Sequence, residues 1–131
     1  MASNIKNQLL NELAYEILHT RILRSQAKEL TTIADVVRHE QELHIWTRRI
    51  DPLIEKVYSY KPDFDFVFNE FKRVKESFKY AALASLDQFR DIDHFIHKKK
   101  LMLQNHLIVL AATLKFAKQM VRMYFWNPAK E

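Results

Sequence analysis

The chain has 131 residues, which is enough for one ordinary domain with its own core, and its net charge is +5 from 21 Lys and Arg against 16 Asp and Glu. It contains no glycine, which excludes the glycine-rich loops that cradle phosphates and the G-x-S-x-G turn that presents a nucleophilic serine. It also contains no cysteine, which excludes disulfides, thiol catalysis, zinc fingers and iron–sulfur ligation.

The first predicted helix has apolar residues three and four positions apart, the spacing that gives a helix one apolar face. The residues that make this pattern are Leu9, Leu10, Leu13, Ile17 and Leu18. We expect this helix to end near Lys28.

A second helix is predicted to begin at Thr32, whose hydroxyl can cap its first turn. Its apolar residues then fall seven apart, at Val36, Leu43, Ile50 and Val57. Pro52 interrupts this row, and Asp51 before it has the arrangement of a capping residue followed by a first-turn proline. We therefore expect a kink or a restart of the helix at Pro52.

A third helix is predicted after Pro62, with Asp63 as its capping residue. Its core positions repeat every seven residues and consist of Phe64, Phe71 and Phe78 in one row and Val67, Val74 and Ala81 in the other. We place its end near Arg90 to His94, where Asp91 or Asp93 can cap the next helix. One continuous helix over residues 63–126 is the alternative.

The fourth predicted helix is apolar on two sides. One row, predicted to face the core, contains Leu103, Leu107, Leu110, Leu114, Ala117, Val121 and Tyr124. A helix that is apolar nearly all round is either central in its bundle or shared with a partner subunit. We therefore predict an interface at Met102, Val109, Phe116, Met120, Met123 and Trp126.

Positive charge is clustered in three places, and clustered cations can bind the phosphates of nucleic acid without reading the bases. The predicted nucleic-acid-binding residues are Arg48, Arg49, Lys72, Arg73, Lys98, Lys99 and Lys100. The last three lie at the start of the fourth helix, where positive charges interact unfavourably with the helix dipole. Lysines at such a position indicate that they have a function, such as binding phosphate. The alternative is that these side chains form ordinary solvated helix surfaces.

Arg90 and His97 resemble the active-site pattern of HEPN-type ribonucleases, in which an arginine is followed after six residues by a histidine near the start of the last long helix. The resemblance implies an all-α enzyme whose arginine and histidine act on RNA phosphate, usually across a dimer interface. Asp91 departs from the more specific form of the motif, because it places negative charge beside the scissile phosphate. The competing interpretation is a solvated turn between helices.

Metal chemistry in a helical bundle typically needs two Glu-x-x-His pairs that project inward. Glu16 and His19 make one such pair, and the similarly spaced residues around His94 fall in the predicted turn. We therefore predict no metal, no cofactor and no catalytic residue apart from the ribonuclease alternative. The histidines are interpreted as surface residues, except His106, which lies in an apolar stretch and is predicted to be a partly buried, hydrogen-bonded residue of the core.

Taken together, these patterns predict an all-α, four-helix-bundle-like single domain over residues 1–131. We expect an intracellular protein without signal peptide or membrane-spanning helix. The predicted function is non-enzymatic assembly, as a homo-oligomer or with a helical partner protein, with DNA or RNA as a further ligand, in a packaging, coat or accessory role. A third alternative is a peripheral membrane-complex subunit that uses the amphipathic end of the last helix, residues 120–126.

Overall fold

The computed structural model describes residues 2–60, 69–76 and 91–124, with side chains placed for 5–57, 69–76 and 91–123. These residues form helix α1 at Ala2–Lys28, helix α2 at Ile33–Tyr60, the helical segment α3 at 69–76, and helix α4 at Ile92–Tyr124. The described ranges contain no β-strand. The predicted all-α, bundle-like fold is confirmed.

The link between α1 and α2 shows how the chain ends a helix without glycine. After Lys28 the hydrogen bonds span three residues instead of four: the amide of Glu29 donates to the carbonyl of Gln26 at 3.1 Å, and that of Leu30 to the carbonyl of Ala27 at 3.5 Å. Such bonds satisfy carbonyls at a helix end without a left-handed residue. No described residue has a positive φ, so this end needs none of the conformational freedom that glycine supplies.

Helix α2 begins as predicted from the sequence. The hydroxyl of Thr32 accepts from the amide of Asp35 at 3.0 Å, and the Asp35 carboxylate accepts in return from the amides of Thr31 and Thr32. This is a reciprocal capping arrangement. A hydrogen bond from the Thr32 side chain to the Asp35 carboxylate, and next the one from the Thr31 backbone, lower the pKa of this carboxyl group.

Of the two outcomes expected at Pro52, a restart of the helix is wrong, and a kink stays a prediction. Helix α2 runs through Pro52 without interruption, although a proline there cannot donate to the carbonyl of Arg48. Asp51 does not cap a new helix, because its carboxylate instead accepts from Nζ of Lys75 at 2.8 and 2.9 Å. The pairing attaches α3 to α2.

The alternative of one helix over residues 63–126 is also wrong. Asp91 is not helical, and its carboxylate accepts from the amide of His94 at 2.7 Å, which caps the first turn of α4. The predicted cap is therefore confirmed. The predicted core residues Phe64, Val67, Phe78 and Ala81 lie outside the described residues.

The core lies where α1 and α4 pack along each other and α2 closes over both. All the predicted inward residues of α2 are buried, as are Phe71 and Val74 of α3. The core row of α4 is buried from Leu103 to Val121, and the side chain of Tyr124 lies outside the described residues. In α1, Leu9, Leu13 and Ile17 are buried, but Leu18 is exposed.

Candidate functional site

The outer face of α4 is the most unusual surface in the described part of the chain. We use this name for the uncharged residues on the side opposite the core, which are Leu101, Asn105, Ile108, Val109, Ala112, Phe116, Gln119 and Met123; the exposed Lys115 borders them. The large apolar members are between 42% and 58% exposed. A helix at the surface of a bundle normally has polar and charged residues on this side.

The sequence produces this face because α4 carries two seven-residue repeats. The first contains Leu103, Leu107, Leu110, Leu114, Ala117 and Val121, and it is buried. The second contains Met102, Asn105, Val109, Ala112, Phe116, Gln119 and Met123. Residues seven apart return to almost the same side of a helix, so the second repeat forms a separate row along the outside.

The predicted interface residues divide between the outside and the core. Val109, Phe116 and Met123 lie on the outer face, and Met102 lies half-buried at its edge. Met120 packs partly against the core, so it contributes to the bundle itself. Trp126 lies outside the described residues.

Two residues of the outer face were missed by the sequence reasoning. Leu101 and Ile108 are both exposed, and they lie seven residues apart on this side of α4. Their signal is the absence of Lys, Arg, Asp and Glu from residues 101–114. A stretch that covers almost four turns without a charge leaves no charged side for the helix to present to water.

The predicted nucleic-acid-binding cations do not form one open patch. Lys99 is 2% exposed, and its ammonium lies 2.9 Å from a carboxylate oxygen of Glu40 on α2. Lys99 is therefore buried, whereas Lys98 is exposed and Lys100 is half-buried. The reason is the helical period, since consecutive residues point about 100° apart.

Two further predicted cations are bound by carboxylates. Arg73 forms an ion pair with Glu70 at 2.8 Å, and this hydrogen bond raises the pKa of Arg73 and lowers that of Glu70. Arg49 reaches both oxygens of Glu16 at 3.0 Å. Arg48 and Lys72 are exposed.

Glu16 and His19 belong to a polar cluster between α1 and α2 that the sequence did not predict. The indole N–H of Trp46 donates to Glu16 at 2.5 Å, and the ring of His19 stacks on Trp46 with centroids 5.9 Å apart. A guanidinium nitrogen of Arg49 lies 3.1 Å from Nδ1 of His19. The Glu-x-x-His pair thus joins two helices through an arginine and a tryptophan.

A shallow groove of about 510 Å³ lies beside this cluster, lined in part by Tyr15, Arg49 and Leu53. Both oxygens of Glu16 already accept hydrogen bonds from the protein. Among the described residues, no group of three or more metal-ligating side chains comes together. The arrangement can therefore stabilise the contact between α1 and α2.

The ribonuclease pair is only half described. His97 is exposed near the start of α4, whereas Arg90 lies outside the described residues. The role of these two residues in RNA cleavage therefore stays a prediction.

Two histidines are buried. Burial of His106 confirms the sequence prediction, and burial lowers its pKa to about 4. His39 was interpreted as a surface residue, but it is buried, and its Nε2 donates to the carbonyl of Leu23 at 2.8 Å.

In the described part of the chain, no helix combines the length and the apolar character needed to cross a membrane. Comparisons with protein families, with curated proteins and with solved structures gave no match.

Proposed function

We propose that this protein is a non-enzymatic helical-bundle protein that works by assembly, and that the outer face of α4 binds another helix. The observation that carries the proposal is the exposed apolar row on a helix whose opposite side already fills the core. Single exposed apolar residues are ordinary on any protein. A continuous exposed apolar patch is the usual mark of an interaction site.

The geometry of the outer face supports a helix as the partner. Its residues repeat every seven positions, which is the pattern that lets two helices pack side by side over several turns. The row from Met102 to Met123 extends for about 32 Å at 1.5 Å per residue. A small ligand would use a concave pocket, whereas this surface is a convex helix side.

Substituting Val109 by lysine tests the proposal, because the residue is exposed in the isolated chain and lies at the middle of the outer face. Because Val109 is exposed, we expect Val109→Lys to leave the fold intact while it places a charge where the partner must exclude water. Ile45→Lys is the matched control, since Ile45 is an exposed apolar residue on α2. Circular dichroism checks that both variants fold.

The association state is measured twice, by light scattering on the purified chain and by gel filtration of gently lysed cells that naturally express it. We expect the wild type and Ile45→Lys to be associated in at least one setting and Val109→Lys to be monomeric in both. A wild type that is monomeric in both settings contradicts the proposal. Equal association of Val109→Lys also contradicts it.

Nucleic acid is a second candidate ligand, favoured by the exposure of Arg48, Lys72 and Lys98. It has less support than assembly, because Arg49, Arg73 and Lys99 are bound by carboxylates. Phosphate binding predicts an affinity for DNA or RNA that falls steeply with added salt. The absence of binding at low salt would remove this part of the proposal.

A further inference from the structure

We infer that the partner of the outer face of α4 is the same face of a second copy of this chain, with the two α4 helices antiparallel. The inference rests on the proposed function and identifies the partner in it. It is carried by the distribution of large, small and charged residues along the outer row.

The outer row alternates between two kinds of position. Large apolar residues occupy one position of the seven-residue repeat, namely Met102, Val109, Phe116 and Met123. Small or polar residues occupy the other, namely Lys98, Asn105, Ala112 and Gln119. In the middle of the row, one copy therefore presents both projections, at Val109 and Phe116, and spaces, at Ala112 and Asn105, as a well-packed helix pair needs.

A parallel pair would match each residue with itself. It would place Lys98 against Lys98 of the second copy, which brings like charges together inside the contact. It would also stack Phe116 on Phe116 and Ala112 on Ala112, so that overfilled and underfilled layers alternate. Neither feature suits close packing.

An antiparallel pair matches each large residue with a small or polar one. In the register that we propose, Val109 lies opposite Ala112 of the other copy, and Phe116 lies opposite Asn105. Met102 lies opposite Gln119, and each contact occurs twice because a two-fold axis relates the copies. Lys98 then faces a methionine instead of another lysine.

The contact is small for a stable dimer. A contact confined to one side of a single helix over about 32 Å buries less than the roughly 800 Å² that each partner buries in a standard interface. We therefore expect a reversible dimer that forms with rising concentration.

Cysteine cross-linking tests the orientation, and the chain suits this experiment because it contains no cysteine. Met102→Cys and Gln119→Cys variants, one with an affinity tag, are oxidised with glutathione disulfide separately and as a mixture. The antiparallel register predicts linked dimers that contain one variant of each kind. Neither variant should link to itself, because its two copies lie about 26 Å apart along the pair.

Three controls make the result specific. Ile45→Cys, on the exposed side of α2, should stay unlinked. Adding Val109→Lys to both cysteine variants should lower the linked fraction by about tenfold or more, because two ammonium groups enter the contact. Circular dichroism confirms that each variant is folded.

Self-linking of each variant alone would overturn the antiparallel arrangement. A purified chain that stays monomeric and forms no link would overturn pairing with a second copy. If Val109-dependent complexes still occurred in lysates, assembly through α4 would stand with a different partner. Monomers in both settings would overturn the proposed function as well.

Discussion

Burial of the His106 imidazole makes the stability of the fold depend on pH. Burial in the apolar middle of α4 disfavours the charged ring, so the pKa falls from an ordinary 6.5 to about 4. The unfolded chain takes up a proton as the pH falls through 6.5, whereas the folded chain does so only near 4. The contribution of His106 to the free energy of unfolding is therefore fully present above pH 6.5 and decreases as the pH falls from 6.5 to 4.

We expect the free energy of unfolding to fall by about 3 kcal/mol from this group between pH 6.5 and 4. Urea denaturation at a series of pH values measures the loss. His106→Phe should remove most of it, whereas His97→Gln, on an exposed position of the same helix, should keep it. An unchanged pH dependence in His106→Phe would refute the assignment to His106.

Other residue-level features could not be predicted, because they depend on which helices meet. The sequence shows Lys99 in a run of three lysines, but only the approach of α2 gives it Glu40 as a partner. Similarly, Glu16 resembles a metal ligand until Trp46 and Arg49 are placed beside it. Both pairs join side chains that are far apart in the sequence.

At the scale of the helices, the capping residues have the clearest energetic role. Asp91 separates α4 from the preceding chain, and it accepts a hydrogen bond from the first turn. No glycine is available to mark this boundary. The start of α4 therefore depends on one carboxylate.

Replacing this carboxylate should weaken the start of α4. Asp91→Ala is expected to lower the free energy of unfolding by about 1 kcal/mol, the usual contribution of an N-cap. Asp93→Ala is the control, since Asp93 lies in the first helical turn and only favours the dipole, worth a few tenths of a kcal/mol. Equal losses in the two variants, measured by urea denaturation, would show that Asp91 is not the cap.

Much of the helical architecture was predictable, since its causes are local. The seven-residue rows of α2 and α4 identified their buried residues, and Thr32 and Asp91 identified two helix starts. The restart expected at Pro52 is wrong, because tertiary packing can hold a helix together across the hydrogen bond that proline removes. Leu18 was placed on the apolar face of α1 but is exposed, because the three-and-four spacing does not determine how wide the buried side of the helix is.

At the scale of the whole molecule, α4 accounts for both the fold and the proposed function. Its inner row packs in the core with α1 and α2, and its outer row stays at the surface. The sequence predicted that this helix is central or shared with a partner, and its two repeats allow both. Large apolar residues of the outer row remain exposed, which is why we propose that it binds a second helix.

The account is tested most directly by hydroxyl-radical footprinting of the purified chain in dilute and concentrated solution. We predict that Val109, Phe116 and Met123 lose reactivity as the concentration rises, whereas Ile45 and Tyr15, exposed on other helices, keep theirs. Unchanged reactivity of the three α4 residues in a sample whose mass has increased would contradict the account, because the chain would then assemble through another surface.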